Sequence, residues 1–294
     1  MIMRAFENCN PIAVAVYFLA VAGIAMFCMN PLLLSVSLMG AIFFFILRNG
    51  RKHGKSHLVW LLMFLVMALV NPLVSHNGVT VLFVLNDSPI TLEATLYGIT
   101  ASGMVIAVMY WFRSFTQVMT SDKLLYLFGK LSPKLALVLS MGLRYVPLFA
   151  RQTKKINDTQ TALGLYKEDN IIDRVRGGLR VFSVMVTWSL ENGIVTADSM
   201  TARGYGTGKR SHFSIFRFRR SDFALLTATM ILAALTIVSI GVGALDFTFY
   251  PSLKFADLTE MSYVGYISYG ALVSLPIIME AEEKIKWKYL KSKI

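Results

Sequence analysis

Residues 56–112 form an unbroken stretch of 57 residues without a lysine or arginine, in a chain that has 29 of them among its 294 residues. Overall, 55% of the residues are hydrophobic, only 16% are charged, and the mean hydropathy is +0.59. Soluble domains average about 25% charged residues. The pattern therefore excludes a disordered chain and a soluble enzyme, and it predicts a protein embedded in a lipid bilayer.

The apolar stretches are long enough to cross a bilayer as helices. A hydrocarbon core about 30 Å thick needs roughly 20 helical residues, since each residue rises about 1.5 Å. A further run at residues 79–85 is too short to cross, and it precedes a turn-like sequence at residues 86–89. The sequence thus predicts an all-α polytopic membrane protein with about six transmembrane helices, at residues 11–29, 31–47, 58–75, 94–112, 223–245 and 261–279.

The basic residues indicate the orientation of these helices. With six crossings, 28 of the 29 lysines and arginines fall in segments on the same side of the membrane, and Lys254 is the exception. Short basic segments stay in the cytoplasm, so this side is predicted to be cytoplasmic and to hold both termini. The expected domains are a membrane domain of four spans (1–113), a cytoplasmic domain (114–220), and two further spans with a basic tail (221–294).

Residues 113–220 hold most of the net charge, with eighteen basic and seven acidic side chains, yet they also contain apolar runs. Ser132 precedes a proline, which is a favourable helix start, and the pattern predicts a long helix over residues 133–162. Pro147 lies inside this helix and is expected to kink it, because proline lacks a backbone donor. A second long helix is predicted from about residue 178 to residue 202.

Both predicted helices end in the same pattern, T-A-x-G, at residues 161–164 and 201–204. Alanine continues a helix at low cost and glycine accepts the left-handed conformation that ends it, so the variable residue is displayed at the helix end. The first end displays Leu163 and the second displays Arg203. Two ordinary helix caps would give the same pattern. Two long helices of the same design, in a basic segment, favour docking on an acidic partner.

Two motifs in this segment resemble those of a known family. Residues 142–147, Gly-Leu-Arg-Tyr-Val-Pro, resemble its L-R-[FY]-[IV]-P element, and residues 200–205, Met-Thr-Ala-Arg-Gly-Tyr, resemble its A-R-G signature. The family is the transmembrane T component of energy-coupling factor transporters, the CbiQ-like family of prokaryotic vitamin and metal importers. The resemblance covers most of the chain and implies a multi-pass protein of the prokaryotic cell membrane.

The resemblance implies that the tips of two coupling helices sit in grooves on two ABC ATPase subunits, which are the same or different. Leu163 stands where the family usually has arginine, and this departure favours unequal docking on two different ATPases. The residues implied at the two tips are Ala162, Leu163 and Gly164 on the first helix, and Ala202, Arg203 and Gly204 on the second.

The resemblance further implies that apolar faces of these helices hold a membrane-embedded, substrate-binding S component. ATP binding and hydrolysis would move the ATPases, the helix tips would follow, and the S component would be reoriented to release its cargo. Methionine suits a surface that repacks against a moving partner, although ordinary core packing explains each candidate taken singly equally well. The candidates are Leu135, Val138, Leu139, Met141, Val184 and Met185.

The sequence predicts no catalytic activity for this chain. Residues 204–210 lack the first glycine and the final Ser or Thr of a phosphate loop, because Arg203 and Arg210 occupy those positions. His53 and His57 lie in a basic loop that is better read as solvated than as a metal site. No catalytic, cofactor-binding or metal-ligating residue and no nucleic-acid partner is expected. The alternative is a membrane enzyme or an anionic-lipid-binding protein with a basic cytoplasmic domain and no ATPase partner.

Overall fold

The computed structural model describes residues 6–49, 54–75, 77–85, 88–165, 171–208, 216–255 and 259–291. Within these ranges the protein is mainly helical. The chain divides into two compact units: unit 1 comprises Met1–Leu124 and Phe216–Ile294, and unit 2 is Leu125–Ile215. The helices are α1 (Pro11–Phe27), α2 (Pro31–Asn49), α3 (Gly54–Val74), α4 (Leu92–Val118), α5 (Ser121–Leu131), α6 (Pro133–Ala162), α7 (Ile171–Ala202), α8 (Arg220–Gly241) and α9 (Glu260–Lys291).

Two short antiparallel strand pairs connect helices of unit 1. The first lies between α3 and α4, so the run at residues 79–85 forms a strand instead of a crossing helix. The predicted turn at residues 86 and 87 lies outside the described residues. The second pair lies between α8 and α9. The strands are β1 (Val81–Leu85), β2 (Ser88–Thr91), β3 (Phe247–Thr248) and β4 (Lys254–Phe255).

Six helices in the described ranges are long and apolar enough to cross a membrane, which confirms the predicted number. Five of them, α2, α3, α4, α8 and α9, overlap predicted spans, although α8 ends four residues before the predicted end at residue 245, and the sixth is α6. The predicted first span is the shorter α1, with 17 residues. Its predicted end at residue 29 is wrong by two residues. Pro31 disfavours helix at Asn30, whose side chain instead accepts from the backbone N–H of Leu32 at 3.0 Å.

A buried polar network gathers several helix ends at one end of unit 1. The buried Arg48, near the end of α2, forms an ion pair of 3.0 Å with Glu7, which precedes α1. The same guanidinium donates to the backbone carbonyl of Gln117 at the end of α4, also at 3.0 Å. The backbone N–H of Asn10 donates to the carboxylate of Asp222 in the first turn of α8 at 3.1 Å. The start of α1, the ends of α2 and α4, and the start of α8 therefore lie together.

The opposite end of unit 1 shows the complementary set of helix ends. The side-chain amide of Asn30, which precedes α2, donates to the carbonyl of Leu245 after α8 at 2.9 Å and to the hydroxyl of Tyr266 in α9 at 2.7 Å. The consecutive helices α1 and α2, and likewise α8 and α9, therefore run in opposite directions, whereas α1 with α8 and α2 with α4 run in the same direction. The chain leaves unit 1 after α4 and returns to it at α8 on the same end, as the predicted topology requires.

The core of unit 1 is centred on Trp111, which is fully buried in α4. Its indole N–H donates to the hydroxyl of Ser37 in α2 at 3.1 Å, so its polar atom is satisfied within the apolar interior. The ring packs on Tyr17, Phe18 and Phe44, with ring centroids 6.1 to 6.2 Å away. This aromatic cluster holds α1, α2 and α4 together.

Small residues allow α3 and α4 to approach closely. Ala94, Gly98 and Ser102 recur at every fourth position of α4, and all three are buried. A Cβ atom on Gly98 would lie 2.8 Å from the backbone carbonyl oxygen of Ala68 and 2.9 Å from Cβ of Asn71, both in α3. This stripe therefore serves packing within the protein.

We expect Gly98→Ala to destabilise unit 1, because the added methyl group meets backbone that must shift, at a cost of about 1 to 3 kcal/mol. The midpoint of thermal unfolding in mild detergent should fall. Gly23→Ala in α1 is the matched control, since its Cβ would meet no atom within 4 Å. An equal fall for both variants would mean that the close approach of α3 and α4 is not what Gly98 serves.

Candidate docking surfaces

The two long helices of unit 2 provide the predicted coupling residues. Helix α6 has the predicted bounds of residues 133 and 162. Helix α7 begins at Ile171, seven residues before the predicted start at Gly178, so that prediction is wrong. Asp173 in the first turn favours the earlier start, and Gly177 and Gly178 are tolerated inside the helix at a cost in propensity. Helix α6 continues through Pro147.

The two helices meet through aromatic and hydroxyl side chains. The hydroxyl of Tyr145 in α6 lies 3.1 Å from that of Thr196 in α7. The ring of Phe149 contacts the edge of Trp188, with centroids 5.9 Å apart, and it stacks on Tyr145 at 5.5 Å. A higher residue number in α6 pairs with a lower one in α7. The helices therefore run in opposite directions where they touch.

The less exposed side chains of each helix recur at intervals of three or four residues, as expected for one packed face. All the members of this packing stripe are buried or half-buried. On α6 they are Met141, Tyr145, Phe149, Gln152, Ile156 and Gln160, and on α7 they are Val181, Met185, Trp188, Asn192, Thr196 and Met200.

The candidates for S-component contact fall into two groups. Met141 and Met185 belong to the packing stripe and are half-buried. The other four are exposed, by 52% for Leu135, 65% for Val138, 41% for Leu139 and 47% for Val184. The exposed group is therefore more accessible to a partner or to lipid than the two half-buried methionines are.

The two helix tips have the same backbone structure. At the end of α6 the N–H of Leu165 donates to the carbonyl of Gln160 at 3.2 Å, and the N–H of Gly164 donates to that of Thr161 at 3.0 Å. At the end of α7 the N–H of Tyr205 donates to the carbonyl of Met200 at 3.0 Å, and the N–H of Gly204 donates to that of Thr201 at 2.9 Å. Both glycines have positive φ, 67° and 79°. These are Schellman caps, so the predicted glycine terminations are confirmed.

The caps leave the variable residues exposed to solvent. Leu163 is 69% exposed, and Arg203 is also exposed. Their neighbours Ala162, Ala202 and the two cap glycines are exposed as well. The tip of α6 extends about 22 Å beyond Phe149 and that of α7 about 18 Å beyond Asn192, so the antiparallel pair separates the tips by at most about 40 Å. Two separate partner surfaces can be reached.

Burial shifts the pKa values of two side chains, Lys123 and Cys9, at the end of unit 1 where the chain leaves α4. The ammonium group of Lys123, in the first turn of α5, donates to the backbone carbonyls of Glu7 and, at 3.0 Å, of Val118. Burial lowers the pKa of Lys123, and the nearby Glu7 opposes this shift. Burial also raises the pKa of the Cys9 thiol to about 12, and Asp222 acts in the same direction. The polar network therefore includes Lys123, in the last residues of unit 1 before Leu125.

The sequence interpretation did not identify the contacts that join α6 to α7. Tyr145 belongs to the motif at residues 142–147, whereas Phe149, Trp188 and Thr196 belong to no motif. The available signal was the spacing of Tyr145, Phe149 and Gln152, which places them on one helix face. Within the described ranges, no group of three or more His, Cys, Asp or Glu side chains is arranged to hold a metal ion.

Comparison with known proteins agrees with this architecture. The sequence matches the CbiQ family, described as cobalt transport protein, over residues 8–215, which is more than two thirds of the chain. The chain belongs to the CbiQ family. The predicted resemblance to CbiQ-like T components is thereby confirmed, and the chain is a multi-pass α-helical membrane protein.

Curated relatives of this CbiQ family member are energy-coupling factor transporter transmembrane proteins. EcfT of Lacticaseibacillus paracasei is 32% identical over 107 residues, which is 36% of this chain and 40% of that protein. EcfT of Listeria innocua is 32% identical over 104 residues, or 35% of this chain and 39% of that protein. The chain thus matches about two fifths of the length of these two relatives. EcfT 1 of Listeria monocytogenes is 24% identical over 193 residues, which is 62% of this chain and 71% of that protein.

We expect Gly164→Ala and Gly204→Ala to loosen the helix tips, because an L-residue in the left-handed conformation costs about 1 kcal/mol. Hydrogen exchange of the Leu165 and Tyr205 amides should accelerate about fivefold in the respective variants. Gly142→Ala is the matched control, since it lies within α6 with no atom within 4 Å of its Cβ. Unchanged exchange at both tips would contradict a structural role for the two glycines.

Proposed function

We propose that this CbiQ family protein is the transmembrane coupling subunit of an energy-coupling factor ABC importer. It transmits conformational changes of two ABC ATPase subunits to a substrate-binding S component that takes up a vitamin or a metal ion. The observation that carries the proposal is the pair of long helices that end in the same cap and display their variable residues. ATP hydrolysis belongs to the partner subunits, and this subunit performs no chemistry.

The topology of unit 1 supports a cytoplasmic position for the helix tips. The chain leaves α4 and returns at α8 on the same end, so the intervening segment crosses the membrane an even number of times or not at all. Helix α6 is apolar enough to cross, but within the described residues α7 is not among the helices that qualify. A single crossing by α6 would leave the return unmatched. The basic character of residues 113–220 favours the cytoplasmic side, where both termini are also proposed to lie.

Arg203 is the proposed anchor for one ATPase. It lies at an exposed helix end, and its planar guanidinium can bind a carboxylate through two hydrogen bonds. Leu163 occupies the equivalent position of α6 and presents an apolar side chain. The two tips therefore dock unequally, Arg203 through charge-assisted hydrogen bonds and Leu163 through burial in an apolar pocket.

The exposed apolar face of the first half of α6 is the proposed site for the S component. Leu135, Val138 and Leu139 are exposed in unit 2, and Val184 of α7 is a further exposed apolar side chain. Burial of such side chains against a membrane-embedded partner is favourable without fixed polar geometry, so the partner can slide or tilt. The S component selects the cargo.

The contact of α6 with α7 supplies the mechanical link. Movement of the ATPases on nucleotide binding and release displaces the two tips, and each long helix carries that displacement to the contact formed by Tyr145, Phe149, Trp188 and Thr196. Because these side chains interdigitate, a shift of one helix moves the other and with it the apolar face that holds the S component.

We expect Arg203→Glu to abolish copurification of the ATPases and substrate uptake, because it places a negative charge against the proposed acidic pocket. The loss should correspond to at least about 2 kcal/mol, which is typical of an interface anchor. Leu163→Glu should weaken the complex less. Lys254→Glu, at an exposed position of unit 1, is the control for the charge change. Normal assembly and uptake with Arg203→Glu would refute the docking role.

We expect the double substitution Leu135→Gln and Leu139→Gln to release the S component while the ATPases remain bound. The reason is that the polar side chains remove the apolar face without changing the helix tips. Copurification in mild detergent, followed by mass spectrometry of each subunit, measures both partners at once. Leu190→Gln is the control, since Leu190 of α7 is 65% exposed and lies outside the proposed face. Retention of the S component would place its site elsewhere.

A further inference from the structure

The last three turns of α6 and α7 repeat each other with an offset of forty residues. The Schellman caps correspond atom for atom in their hydrogen bonds. The packing stripes correspond as well, with Gln152, Ile156 and Gln160 of α6 matched by residues 192, 196 and 200 of α7. We refer to residues 151–164 as the α6 arm and to residues 191–204 as the α7 arm. Within each arm the last three residues are the tip and the rest is the stem.

The exposed face of the α6 stem is basic. Arg151, Lys154 and Lys155 lie on it at helical spacing with one acidic residue, Asp158, and all four are exposed. The face lies opposite the packing stripe, because these positions are displaced from it by about half a turn. An open recess follows the same face and extends to Ala162 at the tip. The α6 stem has a net charge of +2.

The equivalent face of the α7 stem has the opposite charge. The matching positions are Glu191, Ile194, Val195 and Asp198, all of them exposed. Two acidic and two apolar residues thus occupy the places held by three basic residues and one acidic residue in α6. The α7 stem has a net charge of −2.

The two arms therefore share one backbone structure but differ in the charge of both the tip and the stem. The α6 arm joins an apolar tip, Leu163, to a basic stem, and the α7 arm joins a cationic tip, Arg203, to an acidic and apolar stem. A partner groove with an acidic flank would attract the first stem and repel the second. Like charges that face each other in an interface weaken the wrong pairing, so the two arms do not fit one common groove equally well.

We propose that the stem charges sort the two arms between two unlike ATPase surfaces. The α6 arm takes a groove with an acidic flank and an apolar pocket for Leu163. The α7 arm takes a groove with a basic flank and an acidic pocket for Arg203. This inference rests on the proposed function, since it assumes that the arms dock on ATPases. An anionic membrane is the weaker alternative, because the α7 arm with the same backbone would be repelled by it.

Photocrosslinking in the purified complex tests the sorting directly. Benzoylphenylalanine at the exposed positions Thr161 and Thr201, one in each arm, reports the subunit that each arm touches. The expected result is that the two positions capture two different ATPase polypeptides. Capture of the same polypeptide by both would overturn the sorting and leave the proposed function intact. Capture of no ATPase from either position would overturn the proposed function.

Charge reversal then tests the stems. The double variant Lys154→Glu and Lys155→Glu should reduce capture from position 161 about tenfold at low salt, because two attractive pairs become repulsive, and leave capture from position 201 unchanged. The mirror variant Glu191→Lys and Asp198→Lys should do the reverse. Lys254→Glu with Lys291→Glu, both exposed in unit 1, controls for net charge, and elution volume and circular dichroism verify folding. If the lysine variant keeps full capture but loses binding to phosphatidylglycerol vesicles, the basic stem serves a lipid surface and the sorting is wrong.

Discussion

The polar network at one end of unit 1 fixes the relative positions of the helix ends, and the path of the chain depends on these positions. Buried Arg48 and Lys123 are tied to Glu7 and to backbone carbonyls at the end of α4, and Asp222 binds the backbone before α1. Arg48 is buried and Glu7 is half-buried, so removal of Glu7 would leave the buried guanidinium without this carboxylate, and the pair helps to hold the helix ends together. As a consequence the chain enters and leaves the segment between α4 and α8 at one end of a six-helix unit.

Unit 2 uses little of its surface for its own stability. Its long helices touch through a narrow stripe, and large apolar residues such as Leu135, Val138 and Phe182 remain exposed. A soluble domain would bury such side chains, whereas a subunit that works inside a larger assembly leaves them to its partners. Long helices with a localised contact are also stiff, which suits the proposed transmission of movement between an ATPase and a membrane-embedded partner.

The two arms show how equal geometry can carry unequal chemistry. Both end in a Schellman cap, which fixes the position of the displayed residue without dictating its side chain. Substitution at Leu163 or Arg203, and along the stems, can therefore change the partner surface while the backbone remains the same. This separation between a shared local conformation and a differing charge pattern is the physical basis of the proposed docking on two unlike grooves.

The sequence by itself determined the helical membrane class, five of the six candidate spans, the bounds of α6 and the two glycine caps. These features depend on hydropathy, on proline and on glycine conformation, all of which act within a few residues. Tertiary structure alone decided which face of α7 packs on Tyr145 and Phe149, and how Arg48, Glu7, Lys123 and Asp222 meet. The same holds for the stem faces of the two arms, because a charge pattern acquires a direction only when the packed side of the helix is known. Contacts between residues far apart in the chain set these features, and neither hydropathy nor local propensity predicts such contacts.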